Sequence, residues 1–104
     1  MNKKELVDAF IEQTGWSRRE SEQALSTVLN TISDAVAGGE KVTLPGFGTF
    51  EKRDRSARTA RNPQTGEAIK IKKTSVPAFR AGTAFKSYVA MTKKDQKAHR
   101  RARG

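Results

Sequence analysis

Arg53 to Lys73 reads R-D-R-S-A-R-T-A-R-N-P-Q-T-G-E-A-I-K-I-K-K, and it forms two extended runs joined by a turn at Asn62-Pro63-Gln64-Thr65-Gly66. Pro63 presets φ for a central turn position, and Gly66 can take φ > 0 without steric cost. The outgoing run carries Arg53, Arg55, Arg58 and Arg61; the return run carries Lys70, Lys72 and Lys73. Arg53 and Arg55 share a face by alternation, and the spacing of Arg58 and Arg61 calls for a twist or bulge near Ser56-Ala57. On the return run Lys70 and Lys72 share one face, and Ile69 and Ile71 the other.

This hairpin cannot make a core. Its apolar residues are Ala57, Ala60, Ala68, Ile69 and Ile71, too few to cover two strands. A hairpin of two strands alone is marginal in water. Charge on an edge strand also prevents edge-to-edge aggregation. A proline-tipped ribbon of Arg and Lys is better explained as a grip on a polyanion, with nucleic acid foremost.

Outward from the hairpin, the charge is uneven. The 104 residues hold 21 basic and 11 acidic side chains, a net of +10. Residues 1–50 have five basic and seven acidic, a net of −2; residues 51–104 have sixteen and four, a net of +12. Such asymmetry points to nucleic acid or an anionic surface as partner. With no cysteine there is neither a disulfide framework nor a thiolate metal site. Met1–Phe10 lacks a signal-peptide pattern and no window is apolar enough to span a membrane, so a soluble cytoplasmic protein is expected.

Upstream, Asn2 and Glu5 make a capping box for a helix over 2–14, with Leu6, Val7, Phe10 and Ile11 on one face and Gly15 as its stop. Ser17 and Glu20 cap a second helix, whose stripe of Ala24, Leu25, Val28, Leu29, Ile32, Ala35 and Val36 runs to Gly38-Gly39. Together they predict a helical hairpin. A DNA-reading helix-turn-helix is disfavoured, because this half is net acidic and the second helix has too wide an apolar face to spare one for DNA. Lys41–Leu44 reads as a short strand. Gly46 and Gly48 let Phe47 and Phe50, three apart, both turn inward. This Gly-Phe-Gly lacks the third glycine and the helix of a phosphate loop.

Downstream, Val76 and Phe79 return to the core, with Pro77 limiting pairing. Thr83 is a candidate cap for a third helix bearing Ala84, Phe85, Tyr88 and Val89. Residues 92–104 read as a basic, disordered tail, separate from a domain over 1–91 whose arm covers about 53–75. Without arm and tail about seventy residues remain, a size at which a lone core is marginal. The apolar stripes and Phe47, Phe50, Phe79 and Phe85 exceed what one thin layer can hide, so a dimer is expected.

Met1-Asn-Lys-Lys-Glu-Leu-Val, Pro45-Gly-Phe-Gly-Thr-Phe-Glu, Ala57-Arg-Thr-Ala-Arg-Asn-Pro-Gln-Thr-Gly-Glu and Val76-Pro-Ala-Phe-Arg-Ala-Gly strongly resemble the bacterial histone-like HU family, collinearly over about residues 1–91. The resemblance implies an α+β fold: a helical-hairpin body with a short antiparallel sheet that extends into a long two-stranded β-ribbon arm, in an intertwined dimer. It also implies that the arms wrap double-stranded DNA through the minor groove. Carried over, Arg53, Arg55, Arg58, Arg61, Lys70 and Lys72 would contact phosphates and groove walls, with Lys73 making that stretch more basic than usual. Pro63 would be the wedge between base steps, flanked by Asn62 and Gln64. Lys3 and Lys86, near helix starts, would hold flanking DNA. Phe47, Phe50 and Phe79 look like core aromatics, and Trp16 reads as a packing residue. The tail departs from compact family members and would add charge contacts that steepen the salt response.

The function expected is a nucleoid architectural protein that bends DNA with little sequence preference and favours nicked, gapped or bent duplexes. A site-selective bender like integration host factor shares arm and proline, but the tip and Gly46 look more like HU. A ribosome-associated RNA binder also suits basic hairpins, although A-form grooves fit these arms poorly. Neither an enzyme nor a cofactor or metal site is expected: the one histidine, His99, lies in the tail, and no acid cluster has metal spacing. The partner chain could be a second copy or a paralogue.

Overall fold

Asn2 begins the first helix as its capping pattern requires: its Oδ1 accepts the Glu5 amide at 2.9 Å. The computed structural model describes residues 1–103, in two compact units, Met1–Ala35 and the chain from Val36 onward. The first unit holds α1 (Lys3–Thr14) and most of α2 (Arg18–Ala37). Gly15 ends α1 at φ 72°, where its amide donates to the Ile11 carbonyl. A residue with a Cβ is strained in that left-handed conformation, so glycine suits the stop. Ser17 Oγ accepts the Glu20 amide at 3.1 Å and donates to Glu20 Oε1 at 2.9 Å, opening α2. An Asp8–Arg18 ion pair links the two helices. Val7 is 2 % exposed, whereas Leu6, Phe10, Val28 and Leu29 stay open to solvent. Trp16 packs edge-on against Phe10 at 5.4 Å between ring centres, a packing role in the turn.

The second unit is built on an antiparallel sheet in the order β1 (Val42–Leu44), β2 (Gly48–Arg55), β5 (Thr74–Ala81). Its registers run from Val42↔Phe50 to Leu44↔Gly48 and from Gly48↔Ala81 to Arg55↔Thr74. Phe47 is not a strand residue. It sits in the turn after Gly46, whose φ is 83°, and its amide donates to the Leu44 carbonyl. From that turn its ring stacks on Phe85 at 5.0 Å and meets Phe79 at 5.3 Å; Phe50 meets Phe79 at 4.7 Å. The expected convergence of these aromatics is therefore achieved by a turn before the strand. Pro77 does not interrupt pairing as expected: it sits opposite Lys52 in β5, an edge strand of this sheet, where a missing N–H is tolerated.

Between β2 and β5, β3 (Arg58–Arg61) and β4 (Ala68–Ile71) form the two-stranded arm. After β5 comes α3 (Thr83–Ala90), whose N-cap is Gly82 rather than Thr83; no side chain caps it. The expectation of a disordered tail is corrected. Lys93–Arg103 is a helix, α4, while Gly104 lies outside the described residues. Thr92 Oγ1 accepts the Asp95 amide at 3.2 Å, and Lys, Gln, Ala and Arg are strong helix formers. The high charge and lack of large apolar residues argued for disorder. They left out the anchorage that Tyr88, in the preceding helix, offers to long polar side chains.

Candidate nucleic-acid interface

The arm grows from the sheet without a change of register. Pairing stops after Arg55↔Thr74 and resumes at Arg58↔Ile71, skipping two residues on each strand. The bulge expected near Ser56-Ala57 is thus a symmetric interruption, Ser56-Ala57 facing Lys72-Lys73. Along β2, Glu51, Arg53 and Arg55 lie on one face. In the arm, Arg58, Ala60, Ile69 and Ile71 share one face, and Thr59, Arg61, Ala68 and Lys70 the other. Counted through the interruption in register, Arg61, Lys70 and Lys72 fall in line with Arg53 and Arg55, and Arg58 opposes them. Arg61 therefore keeps the alternation, and Arg58 departs from it, as Lys73 does on the return strand.

The tip is ordered by its own hydrogen bonds. Asn62 Oδ1 accepts the Gln64 amide at 2.9 Å, an Asx turn that spans Pro63. The Gly66 amide donates to the Asn62 carbonyl, and the Asn62 amide donates to the Glu67 carbonyl, both at 2.8 Å. Gly66 takes φ 73° to close this loop. Pro63 and Gln64 are exposed at the end of the arm.

Electrostatically the arm divides in two. At its base Glu51 is a nearly buried carboxylate, 9 % exposed, among three cations: Arg53 Nη2 at 3.1 Å, Arg80 Nε at 3.6 Å and Lys41 Nζ at 3.8 Å. The hydrogen bond from Arg53 outweighs desolvation, and with the nearby charges of Arg80, Arg53 and Lys41 it holds the Glu51 carboxyl below the usual glutamate range. Asp54 accepts a hydrogen bond from Ser75 Oγ at 2.6 Å. Further out, Arg55, Arg58, Arg61, Lys70, Lys72 and Lys73 are exposed, and none of them has an ion pair among the described residues. Their charge is available to a ligand. Arg53 is partly committed to Glu51.

A depressed carboxyl pKa stabilises the fold above the unfolded-state value and ceases to do so as pH falls through the folded value. Glu51→Gln is therefore expected to lower stability at neutral pH, where the wild-type carboxylate contributes in full, and to flatten the acid limb below about pH 5, so that the two proteins converge at low pH. Urea midpoints measured from about pH 3 to 7 check this. An unchanged acid limb would show that Glu51 does not couple the strands.

The expected body contacts lie elsewhere. Lys3 Nζ donates to Ser26 Oγ at 3.3 Å and lines a shallow hollow with Lys4 and Arg19 in the first unit. Lys86 is exposed on α3 beside Phe85 and Val89. Glu51 was not singled out from the sequence, although an acid alternating with Arg53 inside a basic strand was a usable signal. The grouping of α4 side chains around Tyr88 was also missed; the Thr92-x-x-Asp95 capping pattern could have revealed that helix.

The family described as bacterial DNA-binding protein matches residues 1–90. DNA-binding protein HU of a Nostoc species is 50% identical over 93 residues, 89% of this chain and 99% of its own length. The chain is a bacterial HU-family protein. HU 1 of Bacillus subtilis is 50% identical over 90 residues, covering 86% of this chain and 98% of its own. HU 2 of Streptomyces coelicolor is 51% identical over 94 residues, 90% of this chain; the chain spans 43% of that relative's length. Among solved structures, an Anabaena HU–DNA cocrystal superposes with a TM-score of 0.82 at 49% identity, covering 88% of this chain and 100% of that one. Thermotoga maritima HU aligns at 0.61 and 34% identity, over 86% of this chain and 98% of its own. The α+β fold with its ribbon arm is the HU fold. No helix among the described residues is long and apolar enough to cross a membrane.

Proposed function

We propose that this chain binds double-stranded DNA with little sequence preference and bends it. The arm enters the minor groove, the exposed Arg and Lys neutralise phosphates, and Pro63 wedges a base step. The observation that carries this reading is the arm itself: six exposed cations, without an ion pair among the described residues, on a ribbon that ends in an exposed proline held on an Asx turn. An apolar wedge between base steps is a recurrent device of minor-groove binders, HU among them, so the wedge follows the family precedent. The groups at the tip that can read bases are Asn62 and Gln64, and minor-groove hydrogen bonding is degenerate. Preference should go to nicked, gapped or already bent duplexes, whose deformation costs less. Arg53, Lys3 and Lys86 are assigned to phosphates along the flanks. The setting is the bacterial cytoplasm, on the nucleoid.

The working unit is a dimer of this chain. Its support is the apolar surface that each unit leaves open: Leu6, Phe10, Val28 and Leu29 in the first, Phe47, Phe79 and Val89 in the second. Open apolar surface on this scale marks an interaction face. Sedimentation at micromolar concentration should give twice the chain mass; a monomer at that concentration would rule out two arms acting together.

Pro63→Ala tests the wedge. The variant is expected to keep the salt slope of binding, about −7 for a dimer that engages about four phosphates per chain. It should lose the bend, read by energy transfer between duplex ends, and lose its preference for nicked over intact duplex. An unchanged bend and preference would make Pro63 a turn residue and the arm an electrostatic clamp.

A further inference from the structure

The chain beyond the family match is a folded element with a defined inner face. Gln96 Nε2 donates to the carbonyls of Met91 at 3.1 Å, Tyr88 at 3.3 Å and Val89 at 3.4 Å, at the C-terminal end of α3. The Tyr88 carbonyl also accepts the Met91 amide at 3.1 Å, while the Val89 and Met91 carbonyls lie past the last intrahelical donors, so the Gln96 amide helps to satisfy the end of α3. Arg100 Nη1 donates to the Tyr88 hydroxyl at 2.9 Å. The His99 ring lies 4.6 Å from the Tyr88 ring, and the Arg103 guanidinium 5.6 Å from its centroid. Gln96, His99, Arg100 and Arg103 follow helical spacing, so one face of α4 is anchored on Tyr88.

That anchoring decides what the opposite face presents. Lys94, Lys97 and Arg101, spaced by three and four, form an exposed stripe turned away from Tyr88. Seven residues of helix place its ends about 10 Å apart. One DNA strand presents a phosphate about every 3.4 Å of helix axis, so three such cations match a short run of backbone. The stripe is built for a polyanion rather than a bilayer: apart from its cations, this side of α4 offers Ala98 and Ala102, too little apolar surface to insert in a lipid interface.

We infer that α4 is a second DNA-backbone contact, in which Lys94, Lys97 and Arg101 bind phosphates and the Gln96–Tyr88 anchorage holds them in place. This rests on the DNA-binding function proposed for the arm and extends it to a second element. A disordered tail would contribute charge alone; a docked helix contributes charge at a fixed position, without the ordering cost on binding.

The test uses the full-length protein, a mixed-sequence duplex and three variants: Lys94→Gln/Lys97→Gln/Arg101→Gln, Gln96→Ala and Arg61→Gln. The triple variant is expected to make the slope of log K against log salt shallower by about 2 to 3 for each engaged α4. Gln96→Ala leaves the charge unchanged, yet should weaken binding about threefold to tenfold by releasing the anchored geometry. Circular dichroism reports helix content of every variant. If the triple variant keeps the wild-type slope while Arg61→Gln reduces it, the α4 contact is overturned and the arm reading survives. If wild-type protein does not bind the duplex, the DNA reading itself fails. If the triple variant loses affinity and Gln96→Ala does not, the anchored geometry is overturned. Loss of binding to duplex RNA or phosphatidylglycerol vesicles in the triple variant, with DNA binding intact, assigns the stripe to another partner and overturns the proposal.

Discussion

Alanine at Arg58, Arg61, Lys70 and Lys72 together is expected to lower affinity for a mixed-sequence duplex by about 10³-fold at roughly 0.1 M salt. The reason is charge availability. These four side chains stand on the arm without an ion pair among the described residues, so binding need not first break an internal interaction. Each cation that replaces condensed counterions contributes about 0.9 to the slope of log K against log salt. Removing up to four per chain should therefore make the slope shallower by several contacts. Affinity should fall for all sequences alike, because phosphate contacts carry no direct sequence information. The exposed side chains can be shortened with little effect on stability, so a salt titration alongside a urea melt separates binding from folding. A loss under threefold with an unchanged slope would place the DNA contact away from the arm. Arg53 stays intact in this variant, since its bond to Glu51 would mix the two effects.

The second large effect is on the fold. Gly48→Ala is expected to destabilise the protein by about 2 to 3 kcal/mol, the usual cost of overpacking a closely fitted site. A Cβ at position 48 would sit 2.5 Å from the Arg80 carbonyl oxygen and 2.5 Å from the Phe79 ring. The carbonyl belongs to the backbone of β5, so it cannot swing aside as a flexible side chain can. β2 and β5 would have to separate at their body end, and that same ladder continues outward to Arg55↔Thr74 at the root of the arm. The denaturation midpoint should fall, and duplex affinity should fall with it if the arms lose their fixed origin. Gly46→Ala is the informative contrast. Nothing lies within 4 Å of its Cβ, so any cost there comes from its φ of 83° alone. A stable Gly48→Ala would mean that the strands can part without loss.

Legibility tracked the range of the interactions involved. Asn2, Glu5, Gly15, Ser17 and Glu20 act within a few residues, and both helical starts and the first stop were readable from spacing. The arm and its tip were readable for the same reason: Asn62, Pro63 and Gly66 specify a turn locally, and alternation of Lys70 with Ile69 and Ile71 specifies a strand. Pro77 and Thr83 were misread because local preference does not say which strand lies at a sheet edge or which residue a helix takes as its cap. For Glu51 the alternation with Arg53 was a local signal, but its other two cations, Lys41 and Arg80, are ten and more residues away in the chain, so the full cluster was not legible.

Neighbouring residues were enough to specify the helical hairpin, the proline-tipped cationic ribbon and, through their motifs, the HU family. These rest on capping, turn chemistry, periodicity and charge, all of which are written within short stretches of chain. Three features waited on folding. Pairing breaks symmetrically at Ser56-Ala57 and Lys72-Lys73, Phe47 reaches the aromatic cluster from a turn, and residues 93–103 form a helix docked on Tyr88. The physical reason is common to all three. A strand's register, a ring's partners and a charged segment's choice between coil and helix depend on groups brought near by folding. Local propensity leaves that balance within about 1 kcal/mol, where one tyrosine and one glutamine amide can tip it.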